Sequence, residues 1–344
     1  MAARRKAAPV QKAPLSAYDK RLEIYQKIEQ DRKSRVLCYV TGDRPGLETQ
    51  VSQEVLKLFV PLLDGLFPTE RISLVLYTKG GSTLTAWSLI NMLRMFCDDL
   101  EIIVPAMAHS AGTLMCLGAN RVIMTKQATL GPIDPSITGP LNPLVPGNLN
   151  PNVRAPVSVE SIKGYIQMAK DDFGVKDMTP VLIDLAQKVH PLVLGSIFRS
   201  KSQIQTLAKQ LLAYSVKNPA TQRKIVNFLC SESGSHDYTI NRREAADLGL
   251  AVEKCNDKMY RNLKQLHDLV SHELELDRPF NQHSILAGQP EASYEVTRCL
   301  IEGTGAPGYV FTSSGVLKKV QIQGPAGPQD GIQDDRKFEG WRPR

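Results

Sequence analysis

Three short apolar runs, the first leading into a small-residue turn and the second into a helix start, constrain this chain more than any other feature. Residues 72–77 (Ile-Ser-Leu-Val-Leu-Tyr) read as a strand and Lys79-Gly80-Gly81-Ser82 as a tight turn. Residues 84–96 read as a helix, with Leu84, Trp87, Ile90, Leu93 and Met95 apolar. A second strand is predicted over 100–105, a helix from Ser110 through Leu117, and a third strand over 121–124. Strands alternating with helices pack as a parallel sheet with crossover helices, so the fold class expected is α/β.

The flanking sequence adds further elements. Residues 1–15 combine Ala, Lys, Arg and Pro without periodicity and read as a disordered basic tail. Tyr18, Leu22, Tyr25 and Ile28 fall at helical spacing, residues 35–40 form an apolar strand-like run, and 48–63 is helical in pattern. Residues 131–156 are rich in Pro, Gly and Asn and read as a long loop, of the kind that in compact domains is functional or mobile. A helical insert is expected over about 157–229, a turn-like stretch over 230–239, and a short helix over 242–248 closed by Gly249. Residues 16–255 are thus assigned to one α/β domain containing the insert. Residues 256–320 are assigned to a C-terminal helix and a strand extension, and 321–344, rich in Gly, Pro, Asp and Gln, to a disordered tail.

Composition narrows the functional classes. A chain of 344 residues with 42% hydrophobic and 22% charged residues can build a large globular core. The net charge of +7 is concentrated toward the termini, and no basic face interleaved with aromatics accompanies it, so no nucleic-acid partner is expected. The six cysteines are scattered through apolar segments without a CxxC pair, a pattern of buried thiols in a reducing compartment, and the location expected is cytoplasmic. No apolar run has the length of a membrane span, and the basic N-terminus lacks the apolar stretch of a secretory signal. Neither a Gly-x-Gly-x-x-Gly fingerprint nor a Walker sequence is present, and His190, His267, His272 and His283 lack metal-ligand spacing. No cofactor or metal is expected.

The chemistry concentrates at Ala108-His109-Ser110-Ala111-Gly112-Thr113. A serine flanked by small residues where a strand runs into a helix has the logic of a nucleophile elbow, which exposes Oγ and lets a substrate backbone come close. The same position also suits a plain helix N-cap, and the local sequence leaves both readings open. Gly80-Gly81 forms a second strand-to-helix turn about thirty residues upstream. In a parallel sheet both turns lie at the carboxyl edge of the strands, where ligands bind and backbone N–H groups can face a cleft.

The ordered blocks Thr78-Lys79-Gly80-Gly81-Ser82, Ala108-His109-Ser110-Ala111-Gly112, Leu130-Gly131-Pro132-Ile133-Asp134-Pro135, Ser235-His236-Asp237-Tyr238 and Glu244-Ala245-Ala246-Asp247-Leu248-Gly249-Leu250 resemble those of the ClpP/crotonase superfamily. Within it the chain is most similar to the serine dehydrogenase proteinase family, relatives of ClpP and signal peptide peptidase A, over roughly residues 35–252. The resemblance implies an ATP-independent serine peptidase, a homo-oligomer acting on a peptide or protein substrate. It implies Ser110 as nucleophile, and Gly80, Gly81 and Ala111 as the backbone that forms the oxyanion hole. In ClpP the block after the nucleophile carries the histidine and the late block the aspartate. Here the two are exchanged, so the resemblance implies His236 as general base and Asp134 as its orienting carboxylate.

Alternatives remain at several positions. Asp134 before Pro135 also suits a local turn, and Asp237 is a second carboxylate beside His236. His109 is expected to pack or line the cleft, because neighbours at a helix start point in different directions. Lys126 raises a Ser–Lys dyad but reads as a solvated turn lysine, and Lys79 as a surface lysine able to meet an acidic substrate group. Two other functions share the fold: a crotonase-type enzyme acting on a CoA thioester, and a catalytically inactive assembly or binding module.

Overall fold

A computed structural model of the chain describes residues 15–133, 136–145, 150, 152–232, 237–324 and 327–344. Most of the predicted basic tail, together with Asp134 and His236, lies outside the described residues.

The chain opens with α1 (Ala17–Arg32), capped by Ser16 and Asp19 in a reciprocal capping box, and runs into β1 (Arg35–Thr41). Then follow α2 (Val55–Asp64), β2 (Arg71–Tyr77), α3 (Thr83–Phe96), β3 (Asp99–Val104), the two-residue β4 (Met107–Ala108), α4 (Ala111–Leu117) and β5 (Arg121–Met124). Short strands β6 (Thr129–Leu130), β7 (Ser136–Ile137) and β8 (Val157–Ser158) lead into the helical insert. The insert holds α5 (Val159–Gln167), α6 (Thr179–Lys188), α7 (Pro191–Leu212) and α8 (Pro219–Asn227). The chain then returns through β9 (Ile240–Asn241), α9 (Arg242–Leu248) and β10 (Val252–Lys254). It ends with α10 (Asp257–Leu274), α11 (Gln282–Leu286) and three long strands, β11 (Glu291–Gly303), β12 (Tyr309–Gly324) and β13 (Gly327–Pro343).

The main sheet has the order β10-β5-β3-β2-β1-β11-β12-β13. Its first five strands are parallel, as the alternating pattern requires, and the last three extend it antiparallel. Both faces of the parallel half are covered, so these strands are nearly continuous in apolar residues. Leu37, Tyr39, Leu74, Leu76, Ile102 and Val104 face the core beneath α2, α3, α4 and α7. Their alternates Val36, Cys38, Val75, Ile103 and Ile123 face α1 and α10.

Two sequence expectations are corrected. The predicted helix over 48–63 begins only at Val55, because residues around Val51 pair with Gly81 instead. The segment expected as a disordered tail forms β13, laddered to β12 from Tyr309↔Pro343 to Gly324↔Gly327. Its polar composition resembles that of a solvated tail. As an edge strand it needs one laddered side, and its charges pair locally: Arg298–Glu339 at 2.8 Å and Arg336–Asp334 at 2.7 Å. Trp341 adds an edge-to-face contact with Phe311, ring centroids 5.6 Å apart.

On α10, the ring of His267 lies edge-on to Tyr77, centroids 5.4 Å apart, and its buried Nε2 has no hydrogen-bond partner among the described residues. Burial lowers its pKa below the ordinary histidine value, against the opposing pull of Asp268 and Asp43. The fold therefore favours neutral imidazole, while the unfolded chain takes up its proton near pH 6.5. This part of the stability is present above about pH 6.5 and is lost as pH falls toward the lowered folded value. Thermal melts between pH 7.5 and 5 should show a decline that His267→Phe, which keeps a ring on Tyr77, makes shallower.

Candidate active site

The two turns singled out in the sequence meet at the carboxyl ends of β2 and β3. Thr78 and Ala108 form a parallel bridge, with Thr78 N–H donating to Met107 O (3.2 Å) and His109 N–H donating to Thr78 O (2.9 Å). This clamp sets Ser110 directly against the glycine turn. A Cβ added to Gly80, where φ is +122°, would lie 2.7 Å from Ser110 Cβ and 3.2 Å from its Oγ. Gly112 is equally constrained, since a Cβ there would fall 2.5 Å from Thr78 Cγ2. Gly80→Ala should therefore displace the serine and lower any Ser110-dependent hydrolysis by about a hundredfold, read as kcat/KM on a peptide substrate.

Ser110 precedes α4 with φ +50° and ψ −113°, and its side chain makes no capping hydrogen bond. An ordinary N-cap has extended backbone and a side chain that accepts from the first turn. Ser82 at the start of α3 does this, accepting from Thr85 N–H at 3.2 Å. Ser110 therefore does not have the geometry of a plain N-cap. Positive φ at a non-glycine residue costs of order 1–3 kcal/mol and persists only where surrounding structure enforces it. Here the enforcing contacts are the Thr78–Ala108 clamp and the buried α4.

The backbone donors around Ser110 divide clearly. Gly80 N–H donates to Thr78 Oγ1 at 2.9 Å. Gly81 N–H and Ala111 N–H have no acceptor among the described residues. Gly81 is held by the strand-like segment at Val51: Val51 N–H donates to Gly80 O, and Ser82 N–H to Val51 O, both at 2.8 Å. The sequence alone assigns Thr78 and Thr41 no role. Thr41 Oγ1 donates to Thr78 Oγ1 at 2.7 Å, so the acceptor of Gly80 is itself fixed from β1. A hydroxyl residue two positions ahead of a glycine pair is the signal that was available.

A second, three-stranded sheet orders β4, β6 and β9. Met107 and Ala108 pair with Thr129 and Leu130, which pair on their other side with Asn241 and Ile240. Thr113 ties α4 to this sheet, its Oγ1 donating to Ala108 O or Gly131 O (2.8 Å each) and accepting from Gly131 N–H at 3.0 Å. The strand before Ser110, the strand before Asp134 and the strand after His236 therefore lie side by side. The last two side chains themselves lie outside the described residues.

The remaining candidates are placed as follows. His109 Nε2 is 2.9 Å from Thr129 Oγ1, and its ring packs on Gly131, where a Cβ would come within 3.1 Å. Lys126 is exposed, 3.9 Å from Asp257 and over the Tyr260 ring, so its contacts are with α10. Lys79 is exposed beside Asp43 at 3.3 Å. All six cysteines are buried. Burial pushes the thiols of Cys97 up to about 11 and of Cys38 up to about 12, and raises that of Cys116 on α4 as well, so they stay protonated and unreactive near neutral pH. Among the described residues no His, Cys, Asp and Glu cluster could hold a metal ion. No single described helix is long and apolar enough to cross a membrane; the pair Thr179–Lys188 and Pro191–Leu212 meets that test only jointly, bent by 100°.

A parallel crossover sheet with a strained serine set against a glycine turn defines an α/β protein of the ClpP-like type. Over residues 66–273 the chain matches the family described as ClpP-like SDH-type serine proteinase, and it belongs to that family. Relatives include two uncharacterized proteins of Methanocaldococcus jannaschii. MJ0137 is 29% identical over 53% of this chain and 53% of its own length. MJ1495 is 24% identical over 73% of this chain and 76% of its own. The chain thus spans about half the length of the first of them. A solved mutant of the 1510-N membrane-bound stomatin-specific protease is 15% identical, covering 67% of this chain and 85% of that one with a TM-score of 0.39. A mutant of ClpP1 from Listeria monocytogenes is 12% identical, covering 67% and 99% with a TM-score of 0.37.

Proposed function

We propose that this protein is a serine peptidase that hydrolyses peptide bonds through Ser110, with His236 as general base and Asp134 as the carboxylate that orients it. The observation that carries the reading is the backbone of Ser110, held at positive φ against Gly80 with its hydroxyl uncommitted to capping. In this mechanism His236 takes the Oγ proton as Oγ bonds to the scissile carbonyl carbon. The carbonyl oxygen becomes an oxyanion, which accepts from Gly81 N–H and Ala111 N–H. Collapse breaks the C–N bond, and the leaving amine takes the proton from His236. Water then attacks the acyl-enzyme by the same steps and releases Ser110. Asp134 holds the imidazole tautomer and stabilises its charged form. None of these steps calls on ATP, a metal or an organic cofactor.

Support for the two partner residues comes from the β4-β6-β9 sheet, which gathers the strands flanking all three positions. The proposal extends to a homo-oligomer that limits access to the site, and to a cytoplasmic setting that keeps the buried thiols reduced. Hydrolysis of an unstructured fluorogenic peptide by wild type and by His236→Ala and Asp134→Ala tests the reading. Both variants should lose at least about a thousandfold in kcat with melting temperatures unchanged. Full activity in His236→Ala would remove that residue from the mechanism. Turnover of a CoA thioester, with none of the peptide, would favour the crotonase alternative.

A further inference from the structure

We infer that Thr78 is a positioning residue that presents the oxyanion donor, and that Thr41 locks it from the neighbouring strand. This inference rests on the peptidase reading above. The buried Thr78 hydroxyl accepts Gly80 N–H at 2.9 Å and the Thr41 hydroxyl at 2.7 Å, and lies 3.4 Å from Gly80 O. By engaging Gly80 it leaves Gly81 as the donor of the pair whose N–H has no acceptor among the described residues.

The same residue also fixes the other half of the site. Its backbone N–H and C=O grip Met107 and His109 on either side of Ala108, two residues from Ser110. Its Cγ2 fills the space beside Gly112, where an added Cβ would come within 2.5 Å. One residue therefore sets the register between the nucleophile strand through its backbone and the glycine turn through its hydroxyl. Backbone pairing with Val51 holds the glycine turn through Gly80 O and Ser82 N–H but does not engage Gly80 N–H. The Thr78 hydroxyl holds that N–H as well, and a donor must be held in place before the reaction to stabilise the developing charge.

The test compares Thr78→Val, Thr78→Ser and Thr41→Val with wild type in peptide hydrolysis and thermal melting. Valine keeps the shape and the backbone clamp of Thr78 and removes only the hydroxyl. Thr78→Val should lower kcat by on the order of ten- to a hundredfold with KM within about twofold of wild type. Thr78→Ser should restore kcat to within a few-fold. Thr41→Val leaves the Thr78 oxygen in place as acceptor for Gly80, so it should lower the melting temperature as Thr78→Val does while costing far less kcat. Wild-type kcat in Thr78→Val, or equal kcat losses in Thr78→Val and Thr41→Val that track their melting temperatures, would overturn the inference while leaving the peptidase reading intact. Absence of hydrolysis by folded wild type would overturn both.

Discussion

Ser110→Ala is expected to lower peptide hydrolysis by roughly a millionfold, to the floor of the assay, with no loss of thermal stability. The hydroxyl makes no capping bond, so its removal orphans no partner among the described residues. The backbone strain stays in Ser110→Ala, because alanine at φ +50° meets the same steric penalty as serine. Ser110→Gly should behave differently. It abolishes hydrolysis equally but relieves about 1–3 kcal/mol of strain, offset by about 0.5–1 kcal/mol of added chain entropy in the unfolded state. The net expectation is a gain of about 1 kcal/mol, visible as a melting temperature above wild type. A Ser110→Gly protein less stable than Ser110→Ala would contradict the strained conformation itself. Activity surviving in both variants would take the serine out of the chemistry.

The largest expected effect on stability lies away from the site, at Glu302. This fully buried carboxylate on β11 accepts from Arg21 Nε at 2.9 Å, from Arg21 Nη2 at 2.7 Å and from the Tyr25 hydroxyl at 2.7 Å. Arg21, also fully buried, donates its remaining Nη1 to Glu273 of α10 at 2.7 Å, and Arg344 contacts both carboxylates. The network joins α1, α10 and the antiparallel extension of the sheet. Burial alone would lower the Arg21 pKa, but its bonds to Glu302 more than offset this and keep the guanidinium charged. Glu302→Ala leaves that charge buried beside a cavity. It should cost about 3–5 kcal/mol, a fall of on the order of 10 °C in melting temperature. Replacing the pair together, as Arg21→Met with Glu302→Leu, should cost clearly less, because no unpaired charge remains. Equal losses for the single and double variants would show that packing, not charge pairing, dominates there.

Much of the parallel half of the fold was legible because each strand is buried on both faces. Residues 72–77 carry five apolar side chains in six, and the glycine pair ends the run sharply. The insert helices were legible from their periodicity, and α9 from its closing Gly249, which adopts φ +104°. The C-terminal strands were harder. β13 carries Asp330, Asp334, Asp335, Arg336, Lys337 and Glu339, which read as a solvated tail because an edge strand draws its order from backbone pairing that composition does not report.

The candidate site was legible in outline only. Ser110 could be named, but not its backbone angle, which follows from contacts with Thr78 and Gly80 about thirty residues upstream. Which glycine of the pair keeps an available N–H depends on the Thr78 hydroxyl, whose reach is a matter of tertiary geometry. Asp134 and His236 came from resemblance, and the structure contributes the strands that flank them, joined through β6 and β9.

The most direct test of the central claim is covalent. Folded wild-type protein is incubated with a fluorophosphonate probe, and the labelled peptide is mapped by mass spectrometry beside Ser110→Ala and His236→Ala. The account predicts a single adduct on Ser110, absent from Ser110→Ala and strongly slowed in His236→Ala. A folded wild-type protein that takes up no probe, or one labelled at another residue with Ser110 untouched, would contradict it.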